Sequence, residues 1–209
     1  VLGRVNRMIA ARVDVVATTY KETQRMPVST RRVVGTGNPV RAAVRAVADV
    51  AYPTRAADDM LRVMVLGGSQ GASVFSAVLP EAMALLPADV RARVRLDQQC
   101  RAGEMDATRA RYAELNMQVD LAPFFTDVAA RLASAHLIIT RSGASTVAEL
   151  MVVGRPALLV PLPSAMDNHQ YFNAEAVEDA GAGWVMTQEA FTAQALAAKI
   201  ETLMRNPQP

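Results

Sequence analysis

The sequence predicts an α/β fold in which a doubly wound, Rossmann-like parallel sheet carries helices on both faces. From about Met60 onward, short runs rich in Leu and β-branched residues alternate with segments of helical periodicity. Gly, Pro or polar residues bound these runs, which is typical of strands that are buried on both faces. Alternation of strands and helices at this spacing favours parallel strands that are joined by right-handed crossovers.

Six strands and six helices are expected from this alternation, enough to fill one domain. The strands are predicted near residues 62–66, 94–97, 119–121, 137–140, 157–160 and 183–186. The helices are predicted near residues 72–86, 104–115, 127–133, 145–153, 168–179 and 193–204.

The first 60 residues have a different pattern. A helix is predicted at 4–12, a strand at 13–18 and a short strand at Val33 and Val34, before a turn-rich stretch at 35–39. The chain opens at Val1 without a Met, which suggests that a segment upstream has been left out. We therefore expect residues 1–37 to be the tail of a preceding α/β domain with its linker, and residues 38–209 to form a second domain.

Composition excludes several classes of protein. With 51% hydrophobic and 20% charged residues, the chain can bury a core and is not disordered. A single cysteine, Cys100, excludes a disulfide framework and a multi-thiolate zinc site. No apolar run approaches the roughly 20 residues of a membrane span, and no Lys/Arg tract with interleaved aromatics suggests nucleic-acid binding.

The most informative motif is Gly67-Gly-Ser-Gln-Gly71, which we call the first corner. It joins a predicted buried strand to a helix, and its glycines would let the backbone approach a ligand closely. The helix N-terminus favours a phosphate or diphosphate, to which Ser69 could add a hydroxyl donor. A tight turn without a ligand is the alternative. The motif also fits the Gly-x-Ser-x-Gly elbow of hydrolases, which would need His136 or His169 as a partner.

A second corner of similar style is the stretch 141–149, where a strand ends in small residues that open a helix. Both corners follow the carboxyl ends of predicted strands, the edge at which open α/β sheets bind ligands. The carboxylate of Glu149 could accept hydrogen bonds from a vicinal diol such as that of a ribose. Equally, Thr146 and Glu149 could form a capping box at the helix start.

A third polar cluster opens the helix that is predicted near 168–179. Asn168, His169, Gln170 and Asn173 could grip a polyhydroxyl substrate, since each amide group both donates and accepts hydrogen bonds. His169 is a candidate general base, with an ordinary surface histidine as the alternative. His136, which precedes a strand, is interpreted as structural.

Two further candidates lie outside these clusters. Arg41 could place a cation beside a diphosphate, or could be an ordinary exposed arginine. Phe124 and Phe125 could flank a planar base, or could pack in the core. No Asp-x-Asp triplet occurs, so a carboxylate-held metal on a nucleotide diphosphate is not indicated.

Five motifs, taken in order, resemble the MurG family of peptidoglycan glycosyltransferases. They are residues 1–7 (VLGRVNR), 37–41 (GNPVR), 67–72 (GGSQGA), 141–149 (RSGASTVAE) and 169–173 (HQYFN). The resemblance implies one half of a two-domain, GT-B type glycosyltransferase that moves GlcNAc from UDP-GlcNAc to undecaprenyl-linked lipid I, giving lipid II. It further implies a peripheral location on the cytoplasmic face of the bacterial inner membrane. The chain would then be the donor-binding C-terminal domain plus the end of the N-terminal domain.

The resemblance also implies roles for individual residues. Asn6 would face the donor sugar, Arg41 and Ser69 the diphosphate, Phe125 the edge of uracil, Glu149 the ribose, and Gln170 the GlcNAc hydroxyls. Further contacts with the donor are implied for Ala144, Ser145, Thr146, Val147 and Ala148, with Gln70 and Asn173 as additional candidates. No metal or other cofactor is implied, and both the catalytic base and most of the lipid I site would lie upstream of Val1. The chain departs from many relatives at Gln98, where a His is expected.

Two alternatives remain open from the sequence. One is another UDP-sugar enzyme on the same architecture, such as a glycolipid hexosyltransferase or a UDP-sugar epimerase. The other is a non-catalytic UDP-sugar-binding module that needs a partner chain for activity.

Overall fold

The structure is a computed structural model that describes residues 2–20, 23–56, 58–68 and 72–206. Its centre is a six-stranded sheet in which every paired neighbour is parallel, in the order β5-β4-β3-β6-β7-β8. The strands are β3 (Leu61–Leu66), β4 (Val94–Gln99), β5 (Val119–Ala122), β6 (Leu137–Thr140), β7 (Ala157–Leu159) and β8 (Gly183–Val185). All six predicted strands are confirmed, with small differences at their ends.

Helices cover both faces of this sheet. The α-helices are α1 (Arg4–Ile9), α2 (Ala42–Arg45), α3 (Ser73–Leu85), α4 (Ala88–Arg91), α5 (Met105–Glu114), α6 (Val128–Ser134), α7 (Ala144–Val153), α8 (His169–Asp179) and α9 (Ala193–Arg205). The six helices predicted after residue 60 are confirmed. Helices α2 and α4 are not predicted from the sequence, because four residues are too few to display a helical period.

The core is divided into two layers by the sheet. Val63 and Val65 of β3 face a cluster that includes side chains from α3 and α9, whereas Met64 faces a cluster with side chains from α6, α7 and α8. Successive residues of one strand are therefore buried on opposite faces, as expected of a central parallel strand. The doubly wound α/β architecture is confirmed.

The N-terminal segment has a small sheet of its own. After α1 and a 3₁₀ turn at Ala10–Arg12, β1 (Val16–Thr18) pairs in parallel with β2 (Val33–Gly35), separately from the central sheet. The predicted domain boundary between residues 37 and 38 falls in the connection from β2 to α2, and it stays a prediction. Among the described residues, no helix combines the length and apolarity that crossing a bilayer requires.

A buried arginine ties the connector before β3 to the sheet domain. Arg155 is 5% exposed, and its guanidinium donates to the carbonyl oxygens of Val50, Ala133 and Val153 at 2.9, 2.7 and 2.8 Å. One side chain thereby satisfies carbonyls at the ends of α6 and α7 together with one in the connector, which no periodic pattern of the sequence would predict.

Candidate functional site

The strand order reverses between β3 and β6, which creates a crevice at the carboxyl edge of the sheet. The chain runs outward from β3 to β4 and β5, then returns to place β6 on the other side of β3. Leu66 is in register with Thr140, and the Thr140 hydroxyl donates to the Leu66 carbonyl at 3.0 Å. The first and second corners therefore leave neighbouring strands side by side, as ligand loops do at a topological switch point.

The first corner begins with a glycine that is fixed by hydrogen bonding. The Gly67 N–H donates to Oε1 of Gln99 at 3.0 Å, and Gly68 has a φ of +78°, a conformation that disfavours residues with a Cβ. Helix α3 begins shortly afterwards at Ser73. Ser69 and Gln70 lie outside the described residues, so their roles at the diphosphate stay predictions.

The second corner opens α7 one residue earlier than predicted. Gly143 is the N-cap, without a side-chain cap, and the first intrahelical bond runs from the Val147 N–H to the Gly143 carbonyl. The predicted donor contacts Ala144, Ser145 and Thr146 thus occupy the first turn, whose amides lack intrahelical acceptors and favour an anion. Val147 and Ala148 are buried, so their side chains pack in the core.

Glu149 forms an ion pair instead of a capping box. It lies in the second turn of α7, and its two carboxylate oxygens accept from Nε and Nη2 of Arg41 at 2.6 and 2.9 Å. The capping-box interpretation of Thr146 and Glu149 is therefore wrong, because Gly143 occupies the N-cap. The hydrogen bonds that Arg41 donates to the Glu149 carboxylate raise the pKa of Arg41.

The third cluster is bonded to the second corner through Ser142. The Ser142 hydroxyl donates to the Gln170 carbonyl at 2.7 Å, and Nδ2 of Asn173 donates to the Ser142 carbonyl at 3.0 Å. The side chain of Gln170 accepts from the Leu162 N–H at 3.0 Å. His169 is exposed, with Nδ1 2.7 Å from the Met166 carbonyl. The start of α8 is thus held against the start of α7.

A cavity of about 470 Å³ lies between the N-terminal segment and these helix starts. Asn6, Thr18, Ala144, His169 and Asn173 are among the residues that line it. The structure thereby brings Asn6 together with two other predicted donor contacts.

Ion pairs at Asp167 join the two sides of this cavity. Its carboxylate pairs with Arg25 and lies 3.7 Å from Arg7, so two arginines of the N-terminal segment contact the loop before α8. Asp167 and Asn168 both have a φ of 53°, a left-handed conformation that Asp and Asn tolerate better than most residues.

The two phenylalanines after β5 have different environments. Phe124 is 68% exposed, whereas Phe125 is half-buried and packs against the core. The Arg131 guanidinium lies 4.2 Å from the centre of the Phe125 ring, and it also pairs with Asp97 and Asp120 at 3.1 and 2.7 Å. The loop after β5, which is predicted to contact uracil, is therefore held in place by a cation–π contact between Arg131 and Phe125.

Three residues shape the site through hydrogen bonds that the sequence does not predict. Gln99 joins the first corner to the Pro123 carbonyl, Ser142 joins the second corner to α8, and Arg141 donates to the carbonyls of Val160 and Pro161, both at 3.1 Å. Ser142 and Arg141 belong to a quoted motif, but their backbone partners are set by tertiary structure. No local signal identifies those partners.

Gln98 and His136 are structural. Gln98, at the position where a His was expected, is fully buried and accepts from the Tyr112 hydroxyl at 2.6 Å. His136 accepts from the Arg62 N–H through Nδ1 at 2.9 Å, at the amino end of β3. The first corner leaves the opposite end of that strand, so His136 cannot serve the hydrolase arrangement. Among the described residues, no group of His, Cys, Asp or Glu forms a metal-binding cluster.

Comparisons with known proteins agree with this architecture. Residues 62–209 match the family model described as glycosyltransferase family 28 C-terminal domain. The chain is 50% identical over 210 residues to a Rhodospirillum centenum protein, and 48% identical over 207 residues to one from Granulibacter bethesdensis. Both are named UDP-N-acetylglucosamine–N-acetylmuramyl-(pentapeptide) pyrophosphoryl-undecaprenol N-acetylglucosamine transferase.

A solved structure of MurG from Acinetobacter baumannii superposes with a TM-score of 0.75 at 32% identity, covering 97% of this chain and 55% of that one. The two curated relatives cover 100% and 99% of this chain, which accounts for 55% and 54% of their own lengths. The chain thus spans about half the length of the curated relatives that it matches.

Proposed function

The chain belongs to glycosyltransferase family 28, and from that premise we propose that it is the donor-binding half of an enzyme that transfers GlcNAc from UDP-GlcNAc to undecaprenyl-linked lipid I. The names of its relatives support this donor and acceptor. The observation that carries the proposal is the Arg41–Glu149 pair, whose Glu149 lies on α7, the helix that begins at the second corner, next to the switch point of the sheet.

The proposed donor extends across this crevice. The diphosphate would lie against the first corner and Arg41, with Ser69 as a hydroxyl donor. The ribose hydroxyls would bind the Glu149 carboxylate, and the uracil edge would meet the backbone at Phe125. The sugar would extend toward Gln170 and Asn173, with Asn6 on the other side of the cavity.

The proposed chemistry is an inverting displacement at the anomeric carbon of GlcNAc. The acceptor hydroxyl attacks this carbon and gives its proton to the catalytic base, the bond to the diphosphate oxygen breaks, and the bonding electrons leave with UDP. The negative charge that develops on the diphosphate would be stabilised by Arg41 and by the N-termini of α3 and α7. We therefore propose that binding and departure of UDP need no metal.

The acceptor and the membrane concern the enzyme as a whole. We propose that lipid I and the catalytic base are provided by the N-terminal half of the enzyme, outside this chain. The chain alone would then bind the donor and transfer nothing. The undecaprenyl tail of the acceptor supports a peripheral location at the cytoplasmic face of the inner membrane.

Calorimetric titration of the chain tests donor recognition. We expect UDP-GlcNAc to bind with and without EDTA, more tightly than UDP-Glc or UDP-Gal. Arg41→Ala should weaken binding, and Arg45→Ala, which removes an exposed arginine of the adjacent helix, is the matched control. Absence of UDP binding would contradict the proposal, and preference for another UDP-sugar would favour a different enzyme of this architecture.

A further inference from the structure

A single side-chain amide connects the first corner with the loop that follows β5. Gln99 ends β4, the strand between β3 and β5, and it is 9% exposed. Its Oε1 accepts from the Gly67 N–H, and its Nε2 donates to the Pro123 carbonyl, both at 3.0 Å. The donor and acceptor sides of the amide are thus each bonded to a different loop.

This bridge lies where the strand ladder ends. At the ends of β4 and β5, the Cys100 N–H donates to the Ala122 carbonyl at 2.9 Å, and Pro123 follows Ala122 directly. Pro123 has no N–H of its own to continue a ladder. Beyond this point the Gln99 side chain bonds both to this loop and to the first corner, and so connects them across β4.

The other side of the same loop is also held. Arg131 lies against the Phe125 ring at 4.2 Å, and pairs with carboxylates of β4 and β5. Arg131 sets the position of the loop relative to α6, whereas only the Gln99 amide, among the side-chain hydrogen bonds described at Pro123, connects it to the first corner.

We propose that Gln99 is a positioning residue that sets the spacing between the diphosphate and uracil contacts, and thereby selects uracil over cytosine. This inference rests on the proposed function. Uracil presents an N3–H donor beside the O4 acceptor, whereas cytosine presents an N3 acceptor beside an amino donor. Backbone groups can distinguish these edges only if the loop is correctly placed, because a misplaced group loses the bond and its specificity.

The test compares the dissociation constants of UDP and CDP, measured by calorimetry on the chain. Gln99→Met removes both hydrogen bonds with little change of volume. Gln99→Glu keeps an acceptor for Gly67 but sets a carboxylate oxygen against the Pro123 carbonyl. In both variants we expect the CDP/UDP ratio of dissociation constants to fall at least about fivefold, the effect of one net hydrogen bond.

Gln98→Met is the matched control, because Gln98 is the adjacent buried amide and bonds to Tyr112. We expect it to lower the Tm and to keep the wild-type ratio. An unchanged ratio in the Gln99 variants, with UDP still bound, would overturn the inference and leave the proposed function intact. If Gln99→Met fails to fold, Gln99→Glu decides. Failure of the wild-type chain to bind UDP would instead refute the proposed function.

Discussion

Arg41 and Glu149 are 108 residues apart in the sequence, and they form a two-point ion pair between the start of α2 and the second turn of α7. The Arg41 side chain is 60% exposed and that of Glu149 is 14% exposed, so the guanidinium faces solvent while the carboxylate is held in place. In the proposed function Arg41 binds the diphosphate of UDP and Glu149 binds the ribose. When the donor binds, the hydrogen bonds between Arg41 and Glu149 must therefore be replaced by bonds to UDP, or be kept alongside them.

Arg41→Ala should impair transfer strongly in the full-length enzyme. Loss of a preorganised cation beside the departing diphosphate should cost about 2–4 kcal/mol of transition-state stabilisation. The measurement is kcat/KM with UDP-GlcNAc, with Arg45→Ala as the control. An unchanged kcat/KM would remove Arg41 from the diphosphate site.

Glu149→Ala should weaken the binding of UDP and UMP to the chain by the same factor. The ribose is common to both ligands, and loss of hydrogen bonds to a carboxylate costs about 1.5–3 kcal/mol. The Tm should change little, since an ion pair with an exposed partner contributes about 0–1 kcal/mol. Glu175→Ala, at an exposed position of α8, is the control for calorimetry and melting. A lower Tm with unchanged affinities would assign Glu149 a purely structural role.

His136 should make the stability of the chain dependent on pH. Burial is the main cause that lowers its pKa below the ordinary 6.5, and neighbouring arginines, Arg55 first, act in the same direction. The unfolded state therefore takes up a proton more readily than the folded state. The contribution is fully present above about pH 6.5 and is lost as the pH falls toward the lower folded-state pKa.

Urea unfolding between pH 5 and pH 8 measures this effect. In His136→Asn the Oδ1 atom can still accept from the Arg62 N–H without titrating. As the pH falls below about 6.5, the unfolding free energy of the variant should therefore decline less steeply than that of the wild-type chain. An equally steep decline would assign the pH dependence to other groups.

Arg155→Met should destabilise the chain by about 3 kcal/mol, because buried carbonyls lose their donor while the apolar stem is kept. Arg95→Met, at an exposed position of β4, should change the unfolding free energy by less than about 0.5 kcal/mol. Urea unfolding checks both variants. Equal effects would contradict the role that the hydrogen bonds assign to Arg155.

Most of the fold could be predicted because buried strands and amphipathic helices have periodic sequences. Both corners were also located correctly, since glycines and small residues after a strand are local signals. Glu149 illustrates the limit. Local rules left a capping box and a ligand contact as equal alternatives, but Arg41, which is remote in sequence, binds its carboxylate. Gln99 and Ser142 were missed for the same reason, because a polar side chain's partner on distant backbone is determined only by tertiary packing.

The ion pairs of Asp167 with Arg25 and Arg7 make the contact across the cavity sensitive to salt. Because Arg25 is 51% exposed and Asp167 is 24% exposed, dissolved salt can weaken their attraction. Concentrated electrolyte should loosen the N-terminal segment from the loop before α8, and dilute buffer should draw them together. The space that the cavity offers to a sugar would then depend on the ionic strength of the solution.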